Sequence, residues 1–148
     1  MAERNFESLY VWQNARIFVN AIYDLMANNK DWGFRDQIQR AAVSIMNNIA
    51  EGYESGSDAK YANFLNIAKG SCSEVRNMLY LCKDRHFCTE EQFIDLKSQA
   101  ILISSQLYKL IEYLNNGKKL SANDLRPSTL VYRLSSFALS LLPINIKL

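Results

Sequence analysis

Hydrophobic residues return every three or four positions through most of this chain, the period of a helix packed on one side. Trp12, Ala15, Val19, Ile22 and Met26 form one such row, and Val11, Phe18 and Leu25 flank it at seven-residue intervals. The turn formers Asn28-Asn29-Lys30-Asp31-Trp32-Gly33 close it. A second row, Ile38, Ala42, Ile45, Ile49 and Tyr53, predicts a helix from about Phe34 to Tyr53, ended by Glu54-Ser55-Gly56-Ser57. One residue's rotation further round, about 100°, Gln37, Arg40, Ser44, Asn48 and Glu51 make a polar stripe. Such a helix packs on one side and offers hydrogen bonds on the other.

Ser57 is a good N-cap for a third helix, with Asp58 in its first turn. The apolar row there is Phe64, Ala68, Ser71, Val75, Met78 and Cys82, with Tyr61, Leu65, Cys72 and Leu79 alongside. Ala62, Asn66, Gly70 and Ser73 form a line of short residues. Glycine within a helix costs about 1 kcal/mol against alanine, so Gly70 is read as a point of close helix–helix approach. Thr89-Glu90-Glu91-Gln92 is a capping box that opens a fourth helix. Phe93, Leu96, Ala100, Ile103, Leu107, Leu110 and Leu114 then alternate steps of three and four, as a seam does. Gly117 stands where a C-terminal cap belongs.

Short connections force successive helices antiparallel, so the expected fold is all-α: an up-down antiparallel four-helix bundle over residues 1–118. Residues 119–148 form a second part, a linker with Pro127 followed by the amphipathic row Leu130, Leu134, Phe137 and Leu141. That appended segment reads first as a helix docking on the bundle or on a neighbour. A membrane-surface helix is the second reading, weakened by a polar face rich in serine. Two apolar rows exceed what one bundle interior requires, Val11/Phe18/Leu25 and Ile94/Ile101/Tyr108. Self-association is their expected outlet, a merely wide core face the plainer account.

Composition narrows the picture. Hydrophobic residues are 49% of the chain, which argues against bulk disorder. No apolar run is long enough to cross a bilayer, and no secretory signal opens the chain. The cysteines Cys72, Cys82 and Cys88 are odd in number and fit reduced thiols in a cytoplasm. Acidic and basic residues balance up to residue 120. The net charge of +2 comes from Arg126, Arg133 and Lys147 against Asp124. General phosphate affinity is therefore not advertised, and any nucleic-acid contact must rest on where charges sit.

The motifs assembled here resemble the four-helix-bundle family encoded within intervening sequences of bacterial 23S rRNA genes, and its relatives among accessory proteins of diversity-generating retroelements. The resemblance covers about Leu9 to Gly117. It rests on Val11-Trp12-Gln13 with Ala15, on Gln37-Ile38-Gln39-Arg40-Ala41-Ala42-Val43-Ser44-Ile45, and on Asn48-Ile49-Ala50-Glu51-Gly52. It continues with Phe64-Leu65, Ile67-Ala68-Lys69-Gly70-Ser71 and Glu74. Met46 departs from it, since the family often carries proline and a kink there. The resemblance implies a homopentameric ring, a role near RNA or nucleic-acid-processing partners, and no catalysis.

Candidate chemistry is sparse. Cys82, His86 and Cys88 are three potential zinc ligands at a spacing that matches no common site, so a buried thiol and loop residues is the plainer reading. Glu51 and Glu74 could pair as carboxylates but fit a structural hydrogen-bond network better. No cofactor is implied. Lys69, Arg76 and Lys83 fall seven apart on one helix face, with Tyr80 on the same ridge and Arg85 at its end. A cationic line with an interleaved aromatic suits phosphates and a stacked base; a solvated helix face is the alternative. The functional expectation is a non-catalytic, oligomeric cytoplasmic protein that contacts RNA through Lys69, Arg76, Lys83 and Arg85, with Arg40 added if exposed. The competing expectation is a scaffold or accessory subunit that binds a protein partner without touching RNA.

Overall fold

Side-chain caps decide where three of the helices start. In the computed structural model, which describes residues 5–116, the Phe34 amide donates to Asp31 Oδ1 at 3.1 Å. The helix that follows spans Trp32–Tyr53 (α2), beginning slightly before its hydrophobic row. Ser57 accepts from the Lys60 amide at 3.4 Å and opens Asp58–Asp84 (α3). Thr89 and Gln92 cap each other: the Gln92 amide donates to Thr89 Oγ1 at 3.1 Å, and the Thr89 amide to Gln92 Oε1 at 2.9 Å. That box opens Glu90–Asn116 (α4). The first helix, Tyr10–Met26 (α1), has no side-chain cap. A short 3-10 turn, Phe6–Ser8, leads into it and sets Phe6 edge-on against Trp12 at 5.3 Å between centroids. Periodicity could not reveal a turn that short.

The four helices form an all-α bundle in which each packs on its sequence neighbours and α1 closes against α4. Cross-helix contacts fix the antiparallel order. Gln37 reaches Glu74 and Ser44 reaches Ser71 between α2 and α3. Lys69 meets Tyr108 and Lys83 meets Phe93 between α3 and α4. The interior is apolar: among the described residues no polar or charged side chain is buried. Phe18, Ile22, Met26, Ile38, Ile45, Ile49, Leu65, Leu79, Ile103 and Leu107 are its largest fully buried members. Among the described residues, no helix is long and apolar enough to cross a membrane. Gly117, the boundary near residue 118 and the row Leu130–Leu141 lie outside the described residues.

Three expectations need correction. Val11 and Phe18 are buried, at 6% and 0% exposure, and Leu25 packs against the core. This row is the centre of a wide α1 core face, not a surplus ridge, while Trp12 sits at its edge. Gly70 is exposed, and a Cβ there would meet nothing within 4 Å. The close approach is at Gly52, where an added Cβ would fall 2.7 Å from the Tyr61 ring and 2.8 Å from Phe64 Cβ. The α2–α3 reversal, not the middle of α3, is where backbone and side chains crowd. Finally, Ile111 is buried while Leu110 is only partly so. Ile111 comes about five whole turns after Phe93, so a straight helix returns it to the core as Leu110 drifts to the edge. Met46 lies within unbroken α2, as its replacement of proline suggests.

Candidate functional site

The seven-residue spacing of Lys69, Arg76 and Lys83 puts all three on the edge of α3 that faces α4. Lys69 Nζ stands 5.1 Å from the Tyr108 ring centroid. Lys83 Nζ is 4.9 Å from that of Phe93 and also pairs with Glu90 Oε1 at 2.9 Å. Arg76 is half-buried between them. From α4, Lys97 extends back over Tyr80, 5.1 Å from its centroid, and lies 5.5 Å from Phe93. Tyr80 meets Phe93 edge-on at 5.1 Å. The Lys97 ammonium, by hydrogen bond and by charge, draws the exposed Tyr80 hydroxyl below its ordinary pKa.

The register set by Lys69 with Tyr108 and by Tyr80 with Lys97 brings Arg76 level with Ile101, and Lys83 level with Ile94. The cationic row of α3 and the apolar row of α4 therefore run side by side in opposite directions. Ile94, Ile101 and Tyr108 are 51%, 46% and 52% exposed, so this second surplus row does remain outside the core. The two rows make one surface of alternating cations, rings and aliphatic side chains. Lysine ammonium groups lie over ring faces, which favours fixed places for them at this surface.

Two candidates fall elsewhere. Arg85 is the C-cap residue of α3 and exposed, at the end of the bundle and beyond the row. Arg40 is exposed but occupied by Asp36 at 2.7 Å. It lies in a shallow groove of about 440 Å³ beside Tyr23, Asn48 and Glu51, apart from the α3 row. Sequence reading missed Lys97 and the pairing of Tyr108 with Lys69. The row Ile94, Ile101 and Tyr108 was visible in sequence, but which face of α4 borders α3 is set by packing, and Lys97 lies off that row.

The α2 polar stripe divides. Gln37 Nε2 donates to Glu74 Oε1 at 3.3 Å, and Ser44 and Ser71 hydroxyls share a hydrogen bond of 2.8 Å. Asn48 Nδ2 donates to the Ser44 carbonyl at 2.7 Å and to its hydroxyl at 3.1 Å. The first two bonds join α2 to α3 and give Glu74 a structural partner, the Asn48 pair stays within α2, and Glu51 lines the groove. His86 is the left-handed residue that ends α3, with φ 57°. The Phe87 amide donates to Cys82 O at 2.7 Å and the His86 amide to Lys83 O at 3.1 Å, the bond pair of a Schellman cap. Cys82 is buried, and burial pushes its thiol up to about 12. His86 and Cys82 thus have places in the helix end, and no three potential metal ligands cluster among the described residues.

A family model described as 23S rRNA-intervening sequence protein matches residues 7–109. Among solved structures, the chain is similar to a protein of unknown function from the S23 ribosomal protein family of Bacteroides thetaiotaomicron VPI-5482. The two are 28% identical, with 69% of this chain and 98% of that chain covered and a TM-score of 0.65. No curated protein matches the chain.

Proposed function

Since the chain belongs to the 23S rRNA-intervening sequence protein family, we propose that it is a non-catalytic cytoplasmic bundle that self-associates and contacts RNA through the α3–α4 face. The observation that carries this reading is the joining of Lys69, Arg76 and Lys83 with Lys97 on one surface that also exposes Tyr80 and Tyr108. Arg85 stands apart from this surface, at the end of the bundle. Phosphate contacts would be sequence-tolerant and would weaken steeply with salt.

Self-association uses other positions. Ile17 on α1 is 62% exposed, and on α3 Ile67 and Leu81 are 53% and 46% exposed. Because α1 and α3 stand diagonally in the bundle, these patches face away from each other. A ring needs two different patches, one meeting the other on the next subunit. Five subunits is the number implied by the family resemblance. The α4 row is left for RNA.

Reversing charge at Lys69 and Arg76 together (Lys69→Glu, Arg76→Glu) should abolish retention of a 23S rRNA transcript in a gel-shift assay. Circular dichroism checks that the helices survive. Unchanged retention by a folded double variant would refute the face. The second reading, a scaffold for a nucleic-acid-processing enzyme, is favoured by the exposure of Ile94 and Ile101, which offer no contact to phosphate. Salt-insensitive or absent RNA retention by the native protein, with a copurifying protein released by Ile101→Lys, would decide for it.

A further inference from the structure

We infer that the α3–α4 face takes single-stranded RNA with its bases turned toward the protein, and not the outside of a duplex. The inference rests on the RNA-binding reading above and specifies its substrate. Cations alone would serve either form, because a duplex presents phosphates as readily as a single strand. The rings discriminate. Tyr80 and Tyr108 are 46% and 52% exposed, and each has a lysine ammonium 5.1 Å from its centroid. A duplex keeps its bases stacked on each other and offers such rings nothing to cover them. Unpaired bases have free faces that stack on aromatic side chains.

The spacing suits a strand laid along the bundle. Lys97 is level with Tyr80, and Tyr108 comes eleven residues later on α4. The rings therefore stand roughly 16 Å apart along the axis. Between them lie Arg76 and Ile101, a cation for an intervening phosphate and an aliphatic surface for an intervening base or sugar. Lys69 stands at the Tyr108 end, and Lys83 lies beyond Tyr80. The order is thus cation and ring, cation and aliphatic, then ring with cations. Each of the two exposed rings has a phosphate partner close by. Tyr108 is one binding residue assigned by this geometry, and Lys97 is another.

The test compares a labelled oligouridylate with an RNA duplex of equal strand length, using the full chain and fluorescence anisotropy at one salt concentration. The oligouridylate should bind at least about tenfold more tightly. Tyr108→Ala should weaken it by about fivefold or more, the scale of one lost base–aromatic stack, with an unchanged salt slope. Tyr80→Phe with Tyr108→Phe should keep the affinity, because stacking needs the ring and not the hydroxyl. Tyr108 is the position for truncation, since Tyr80 also packs on the buried Phe93. Equal affinity for both probes, or a Tyr108→Ala variant that binds as before, overturns the single-strand inference and leaves the cationic face standing. Failure of both probes to bind overturns that face and the inference together.

Discussion

Gly52 and Gly70 are both helical glycines, and they should answer mutation with opposite signs. At Gly52 an added Cβ would press on Phe64 Cβ at 2.8 Å, an atom tied to the α3 backbone that cannot swing away. Gly52→Ala should lower stability by about 1–3 kcal/mol through overpacking. Gly70 is in helix interior with open space around it, so Gly70→Ala should raise stability by about 1 kcal/mol. Urea midpoints read both, and a shift of the same sign in each would contradict this packing. The thiols give a second residue-scale test. Burial pushes Cys72 up from an ordinary 9.0 to about 11, more than the nearby Arg76 charge lowers it. The folded chain holds that proton more tightly than the unfolded chain does. Stability should therefore be full below about pH 9 and fall as pH rises toward the folded value. Cys72 and Cys82 should resist alkylation in the native state at pH 8 while the partly exposed Cys88 reacts. A Cys72 that labels as fast as Cys88 without unfolding would contradict its burial.

At the scale of elements, the chain's local signals were strong wherever a cap or a full period stood in sequence. Thr89 with Gln92, and Ser57, mark helix starts that the structure keeps. Asp31 as a cap was concealed among turn formers, because its role depends on which backbone amide it reaches. The seam of α4 shows a different limit. Alternating steps of three and four follow a seven-residue repeat, whereas an unsupercoiled helix follows 3.6 residues per turn. Sequence alone cannot say which rotation the helix keeps over its full length. Truncating buried Ile111 should therefore cost about 2–5 kcal/mol, and truncating Leu110 at least about 1 kcal/mol less. Thermal or urea melts of Ile111→Ala and Leu110→Ala would show the reverse order if the seven-residue seam held to the end. In α1 width decides: its apolar residues span a face broad enough to set both rows in or against the core.

For the whole molecule, electrostatics on the α3–α4 face makes one more testable statement. Glu90 accepts the Lys83 ammonium at 2.9 Å with both groups exposed, a pair that adds little to stability. Its carboxylate also offsets one cation of the proposed RNA surface. Glu90→Gln should leave the melting temperature nearly unchanged, strengthen RNA binding severalfold at low salt, and steepen the salt dependence. Weaker binding in that variant would mean that Lys83 does not face the ligand.

The helices, their antiparallel order and the greater part of the core were legible from the order of residues. Those follow from local periods, caps and short connections, each of which acts over a few residues. The line Lys69, Arg76 and Lys83 was legible for the same reason: it lies on one helix. It took packing between helices to bring Lys97 and Tyr108 to that line and to place the close approach at Gly52 and not Gly70. Each of these depends on the rotation of one helix against another. That rotation is chosen by side-chain packing across the bundle, between residues remote in the chain.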